Sequence, residues 1–205
     1  MNATVAAPEG ERAWWLRTLL VLQAPRAVFA ALRDESPDAI EARQDPVAAL
    51  VFLGGIAGVL LAPSFGRLLD DRINDGLSVA LIALIAGAIY GFFAYWVSGW
   101  VLAFAARGLG RATNARRCRH VFAFALAPLA LSLLTIWPLR VAVYRGDVFR
   151  TGGADAGTGG DVLMWATVAF GVWSVILLFV GMGTVHARSG RARTRAASSL
   201  RGSRP

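Results

Sequence analysis

Between Gly76 and Arg107 the chain reads LSVALIALIAGAIYGFFAYWVSGWVLAFAA, with no acidic or basic side chain. At ~1.5 Å of rise per residue such a run makes a helix of about 45 Å. A hydrocarbon core needs only ~20 apolar residues to be crossed once. The stretch therefore crosses a bilayer once, with tilt or a projecting turn, and is too short to cross twice. Ala83, Gly87, Gly91, Ala94 and Ser98 fall on one narrow face at helical spacing. Small residues on one face admit a second helix at close range. The pattern predicts a central membrane helix with the remaining spans packed around it.

Three more apolar runs agree with this. The spans are expected at about 47–65, 77–106, 120–139 and 162–187. The chain is 56% hydrophobic with a mean hydropathy of +0.54, and only 17% of it is charged. A soluble domain of this length has one core and cannot hide four such runs. The expected fold is an all-α integral membrane protein: four transmembrane helices preceded by an amphipathic interfacial helix. The division is an N-terminal arm at 1–45, a four-helix domain at 46–187, and an arginine-rich tail at 188–205, expected to be disordered. The first residues have neither a basic n-region nor an apolar core, so no cleavable signal peptide is expected.

Within the arm, residues 12–33 join Trp14, Trp15, Leu16, Leu19 and Leu20 to Arg12 and Arg17, and Pro25 opens a second short helix. Tandem tryptophans beside arginines suit the membrane interface, so a helix lying in that interface is expected; an arm packed on the bundle is the other reading. Gly54 and Gly58 form a GxxxG in the first span, a spacing that permits close helix contact. Pro128, in the middle of the third span, removes a backbone hydrogen bond and predicts a kink. The glycine-rich loop before the fourth span is expected to be flexible.

Arginine supplies all 21 basic residues, and it sorts by side. With four spans, one side collects 16 arginines: Arg12, Arg17, Arg26, Arg33 and Arg43, then Arg107, Arg111, Arg116, Arg117 and Arg119, and the six of the tail, among them Arg191, Arg193 and Arg195. The other side holds five arginines and six aspartates. The positive-inside rule then places both termini in the cytoplasm of a cell membrane, with the whole excess of +8 on the inner face. Arginines just beyond a span attract anionic lipid, worth ~1 kcal/mol per charge near the surface. That accounts for the basic segments without nucleic acid.

Chemistry is scarce. The spans lack Asp, Glu, Lys and Arg, which argues against a carrier coupled to ions or protons. Cys118, His120 and His186 offer no set spaced for zinc. No nucleophile and base stand together, and no GxSxG or HExxH is present, so neither an enzyme nor a cofactor is expected.

Three pieces carry a resemblance to a known family. They are Pro25-Arg26-x-x-Phe29, then Arg119-His120-Val121-Phe122-Ala123-Phe124-Ala125-Leu126-Ala127-Pro128-Leu129, and Gly171-Val172-Trp173-Ser174-x-x-Leu177-x-x-x-Gly181. In this order, over residues 20–187, they resemble bacterial members of the YIP family, named for Ypt/Rab-interacting proteins. The resemblance implies a small helical membrane domain with a cytoplasmic N-terminus. In eukaryotes the family is tied to vesicle trafficking, Rab GTPases and membrane shaping. Family members typically have five spans, whereas this sequence shows four and an arginine-rich tail. The resemblance supplies no catalytic residues.

The expected function is a non-enzymatic membrane scaffold or accessory protein. It would pack through Gly54, Gly58, Ala83, Gly87 and Gly91, and meet anionic lipid, a membrane-protein partner or a second copy of itself. The alternative is a small uncoupled channel or exporter subunit, which requires a polar path through Ser98, Ser132, Thr135 and Ser174.

Overall fold

A computed structural model describes the backbone over residues 9–71, 75–111 and 113–201, and side chains over 10–71, 75–111 and 113–186. Among these residues eight α-helices follow one another: α1 (Glu9–Leu20), α2 (Pro25–Ala31), α3 (Pro37–Glu41), α4 (Gln44–Leu60), α5 (Gly76–Gly108), α6 (Ala115–Ala125), α7 (Ala127–Tyr144) and α8 (Thr158–Arg201). No strand occurs among the described residues. Four stretches are long and apolar enough to cross a membrane: Pro37–Leu60, Gly76–Gly108, Ala115–Phe149 and Thr158–His186. The chain is a multi-pass membrane protein, and α6 with α7 forms one broken span.

Local chemistry sets the ends. Asp75 caps α5 by accepting from the Ser78 amide at 2.7 Å. Gly110, at φ +71°, closes the other end of α5: its amide donates to Arg107 and that of Arg111 donates to Ala106, pairing carbonyls the helix leaves open. The first span stops at Leu60, short of the expected boundary, because Pro63 cannot donate and restricts the residue before it. A 3-10 turn over Phe65–Asp70 follows. Pro128 sits in the first turn of α7, just after the break at Leu126, where a missing N–H is tolerated. Past the apolar run, α8 continues as helix to Arg201, where a disordered tail is expected. A helix already nucleated in the span propagates easily through the Arg- and Ala-rich sequence.

The packing corrects the place given to α5. Only 22% of its most apolar window is buried, against 44% for Pro37–Leu60 and 50% for Ala115–Phe149, and α8 is as open, with 17% for Thr158–His186. Helix α5 lies at the edge of the bundle and touches it along one face of Val79, Ala83, Gly87, Gly91, Gly99, Ala103 and Ala106. The face drifts from Ser98 to Gly99 because its second half meets α6 rather than α4. Its other side is lipid-facing, with Ile85, Ile89, Phe93, Val97 and Phe104 exposed.

The crossing of α4 and α5 is made by Gly55. A methyl group there would lie 2.7 Å from the Cα of Gly91 and closer still to the Gly87 carbonyl. Gly54, one residue earlier, faces Leu126, and Gly58 faces the Tyr90 ring. The GxxxG pair thus borders the crossing, while the closest contact belongs to the glycine between them.

The N-terminal arm packs on the bundle and keeps an apolar outer face. Trp14, Val21, Val28, Phe29 and Leu32 are buried, with Trp14 5.6 Å from Phe124 between ring centroids. Trp15, Leu16, Leu19 and Leu20 point outward. Helix α1 therefore meets protein on one side and leaves tryptophan and leucine side chains on the other.

At the opposite end, the loop expected to be flexible is held down. Thr151 donates to Asp70 from its amide at 2.9 Å and from its hydroxyl at 2.5 Å. Arg140, buried in the last turns of α7, pairs with Asp155 at 3.1 Å and lies over the Trp137 ring. The Thr151 hydroxyl and amide hold the Asp70 carboxyl below the ordinary carboxylate range. A depressed value makes the clasp contribute above the ordinary aspartate pKa of ~3.9 and fade as pH falls through the lowered one. The protection of the Thr151 amide against hydrogen exchange, taken relative to the intrinsic rate at each pH, should fall only on strong acidification in the native protein, and should already be lost at neutral pH in Asp70→Ala. Arg145 holds φ 52° and ψ −133°, a region that only glycine occupies freely. Arg145→Gly should therefore stabilise the folded protein by about 1 kcal/mol, read as a higher unfolding temperature in detergent.

Candidate functional site: the arginine-rich end

The start of α4, the end of α5, the start of α6 and the far part of α8 meet at one end of the bundle, under the N-terminal arm. The three segments that carried the family resemblance converge there. A methyl group at Gly181 on α8 would meet Val121 of α6 at 2.7 Å and the Phe29 ring of α2 at 2.9 Å. Gly181 is needed because a ring and a β-branched side chain press on the same backbone position.

Beside this junction the arginines divide by role. Arg43, 1% exposed, donates to the Asp34 carbonyl at 3.0 Å and lies 5.6 Å from the Trp14 ring. A guanidinium loses less on dehydration than an ammonium and can rest on a ring face, which makes such burial tolerable. Arg33 donates to the Thr184 carbonyl and ties the arm to α8. Arg117 pairs with Glu35 at 3.0 Å, a partly exposed bridge worth at most ~1 kcal/mol. Arg119 lays its guanidinium 3.9 Å from the centre of the Trp96 ring, and its stem crosses α5 at Gly99. Arg107, Arg111 and Arg116 are exposed. Arg191, Arg193 and Arg195 fall in the part of α8 whose side chains lie outside the described residues.

Between α4, α5 and α6 these groups border a cavity of about 540 Å³. Arg116, Arg119 and His120 line one part of it, and Val51, Phe52 and Phe92 another. Sequence reading counted the arginines of this end. It did not anticipate that Arg119 and Trp96 form one stacked platform, or that Arg43 turns inward. The burial of Arg43 has a trace in sequence only through Trp14, whose ring it needs, and that pairing spans 29 residues.

The hydroxyls required by a polar path are not gathered. Ser132 donates to the Leu129 carbonyl and Thr135 to that of Leu131, each within its own helix, and Thr135 is exposed on the bundle surface. Ser174 lines an apolar cavity of about 210 Å³ whose lining includes none of Ser98, Ser132 and Thr135. Among the described residues no three His, Cys, Asp or Glu side chains stand close enough to hold a metal ion.

Cys118, the chain's single cysteine, is buried on α6 with its sulfur 3.4 Å from the Thr113 hydroxyl. It reports on this end directly. In the native protein it should resist a water-soluble maleimide and become labelled only once α6 separates from the bundle; rapid native labelling would contradict the packing.

Residues 19–200 match the family model for the Yip1 domain. No curated protein and no solved structure matches the chain.

Proposed function

The chain belongs to the Yip1 domain family, and on that premise we propose that it is a non-enzymatic scaffold or accessory protein of the cell membrane. It packs with membrane partners in the bilayer and presents its arginine-rich face, with both termini, to the cytoplasm. The observation that carries this reading is the one-sided charge: helices without ionisable groups in their apolar cores separate 16 arginines from five. Arg43, Arg107, Arg116, Arg117 and Arg119 stand at the α4 start, the α5 end and the α6 start, while Arg67, Arg140, Arg145 and Arg150 follow or close the opposite helix ends, an arrangement that supports this reading. A coupled carrier keeps charge inside the membrane because it works there. This chain keeps its arginines at and beyond the ends of its apolar runs.

The exposed arginines Arg107, Arg111 and Arg116 and the tail arginines are the groups offered to anionic lipid or to an acidic partner. The glycine face of α4 and α5 is the packing element. In this reading the family contributes the architecture, and recruitment comes from the cationic surface.

The test is in-membrane crosslinking and affinity purification with mass spectrometry, using the tagged full chain beside one lacking residues 188–205. A stoichiometric membrane-protein partner recovered with the full chain and lost with the tail is the expected result. Recovery of the same proteins with both forms, or of lipid and the chain alone, would contradict recruitment through the basic surface.

A further inference from the structure

We infer that the cavity between α4, α5 and α6 is a binding site for one anionic phospholipid, its phosphate held by Arg116 and Arg119 and its upper acyl carbons lying against Val51, Phe52 and Phe92. This deepens the lipid part of the proposed function and rests on it. It replaces diffuse attraction to a charged surface with a single built site.

The order of chemistry along the cavity is that of a phospholipid in one leaflet. Arg116, Arg119 and His120 stand at the end of the span, and the apolar lining runs from there toward the bilayer centre. On α5 the lining extends from Trp96 to Ala88, eight residues or ~12 Å along the helix. That depth covers a headgroup phosphate, the glycerol and the first acyl carbons. Phe52, Phe92 and Trp96, all partly exposed, form a rim open to surrounding lipid, so an amphiphile can enter sideways from the membrane. A volume of about 540 Å³ is within the range of small-molecule sites. A free phosphate would leave the apolar part empty.

The polar part is unfinished without an anion. His120 lines the cavity, is 5% exposed, and its Nδ1 has no hydrogen-bond partner. The Nε of Arg119 is likewise buried without one. These two atoms leave hydrogen-bonding capacity beside the cavity that a bound headgroup can fill. None of the lining residues is acidic, and the carboxylate of Glu35 is already engaged with Arg117. Stacking on Trp96 fixes the guanidinium plane of Arg119 before a ligand arrives, which lowers the entropy lost on binding. A net positive site with preset donors selects an anionic lipid over a zwitterionic one.

The experiment uses the full chain in detergent, with native mass spectrometry after titration by phosphatidylglycerol or by phosphatidylcholine of the same acyl chains. One phosphatidylglycerol should be retained, and phosphatidylcholine released. Arg116→Gln and Arg119→Gln should each weaken retention about fivefold, the equivalent of ~1 kcal/mol per arginine. Arg67→Gln and Arg150→Gln, exposed at the opposite end of the bundle, should leave it unchanged. Arg116 is exposed, so its variant tests the site even if Arg119→Gln disturbs the Trp96 platform. Equal weakening by all four variants would overturn the site while leaving general lipid attraction intact. Equal retention of both lipids would overturn the two together. Competition by inorganic phosphate as effective as that of phosphatidylglycerol, or crosslinking of Phe52→Cys to a second copy in place of lipid, would also overturn it.

Discussion

Where α4 crosses α5, Gly55 faces the carbonyl of Gly87 and the backbone of Gly91 with no room for a side chain. Helices in lipid gain nothing from hiding apolar surface from one another, since acyl chains are equally apolar. What holds them is close packing, and backbone-to-backbone contact is the closest available. The contact matters here because α5 otherwise presents most of its surface to lipid. Remove the glycine crossing and the longest wholly apolar helix is left with Gly99, Ala103 and Ala106 as its main attachment to the bundle.

The same crossing shapes the space around it. Toward the arginine-rich end the helices frame the cavity lined by Val51, Phe52, Ala88 and Phe92. Toward the other end a second cavity, of about 430 Å³, lies between Ile56, Leu60, Ala83 and Trp137. A pinch between two cavities follows when small residues hold two helices together mid-span and large ones hold them apart beyond it. At the arginine-rich end the gap is bridged by Arg119, whose stem needs Gly99 and whose head needs Trp96. The packing of the membrane domain and the chemistry of its basic end therefore share the glycine face of α5.

Much of this was legible in the sequence, for physical reasons. Hydropathy reads out spans because a bilayer penalises unpaired polar groups over a fixed thickness. Four spans, the broken third helix at Pro128 and the glycine face of α5 all derive from such local rules. The edge position of α5 was not legible, because lipid and protein interior are equally apolar and periodicity does not separate them. Gly55 hid beside Gly54 and Gly58, since a motif gives spacing but not the rotation of the helix about its axis. Arg43 and Arg140 read as ordinary loop charges and proved buried; each relies on a ring or a carboxylate distant in sequence. The loop after α7 looked mobile from its glycines, yet Asp70 and Asp155 supply anchors that composition does not reveal.

The most direct test of this account is the stability of Gly55→Ala beside Gly66→Ala, each read as an unfolding temperature of the purified full chain in one detergent. Gly66 has open space around it, whereas the added methyl at Gly55 meets backbone that cannot swing aside. Overpacking of this kind costs about 1–3 kcal/mol, so Gly55→Ala should lower the unfolding temperature clearly while Gly66→Ala stays near the native value. Equal temperatures for the two variants would contradict the claim that this crossing holds the membrane domain together.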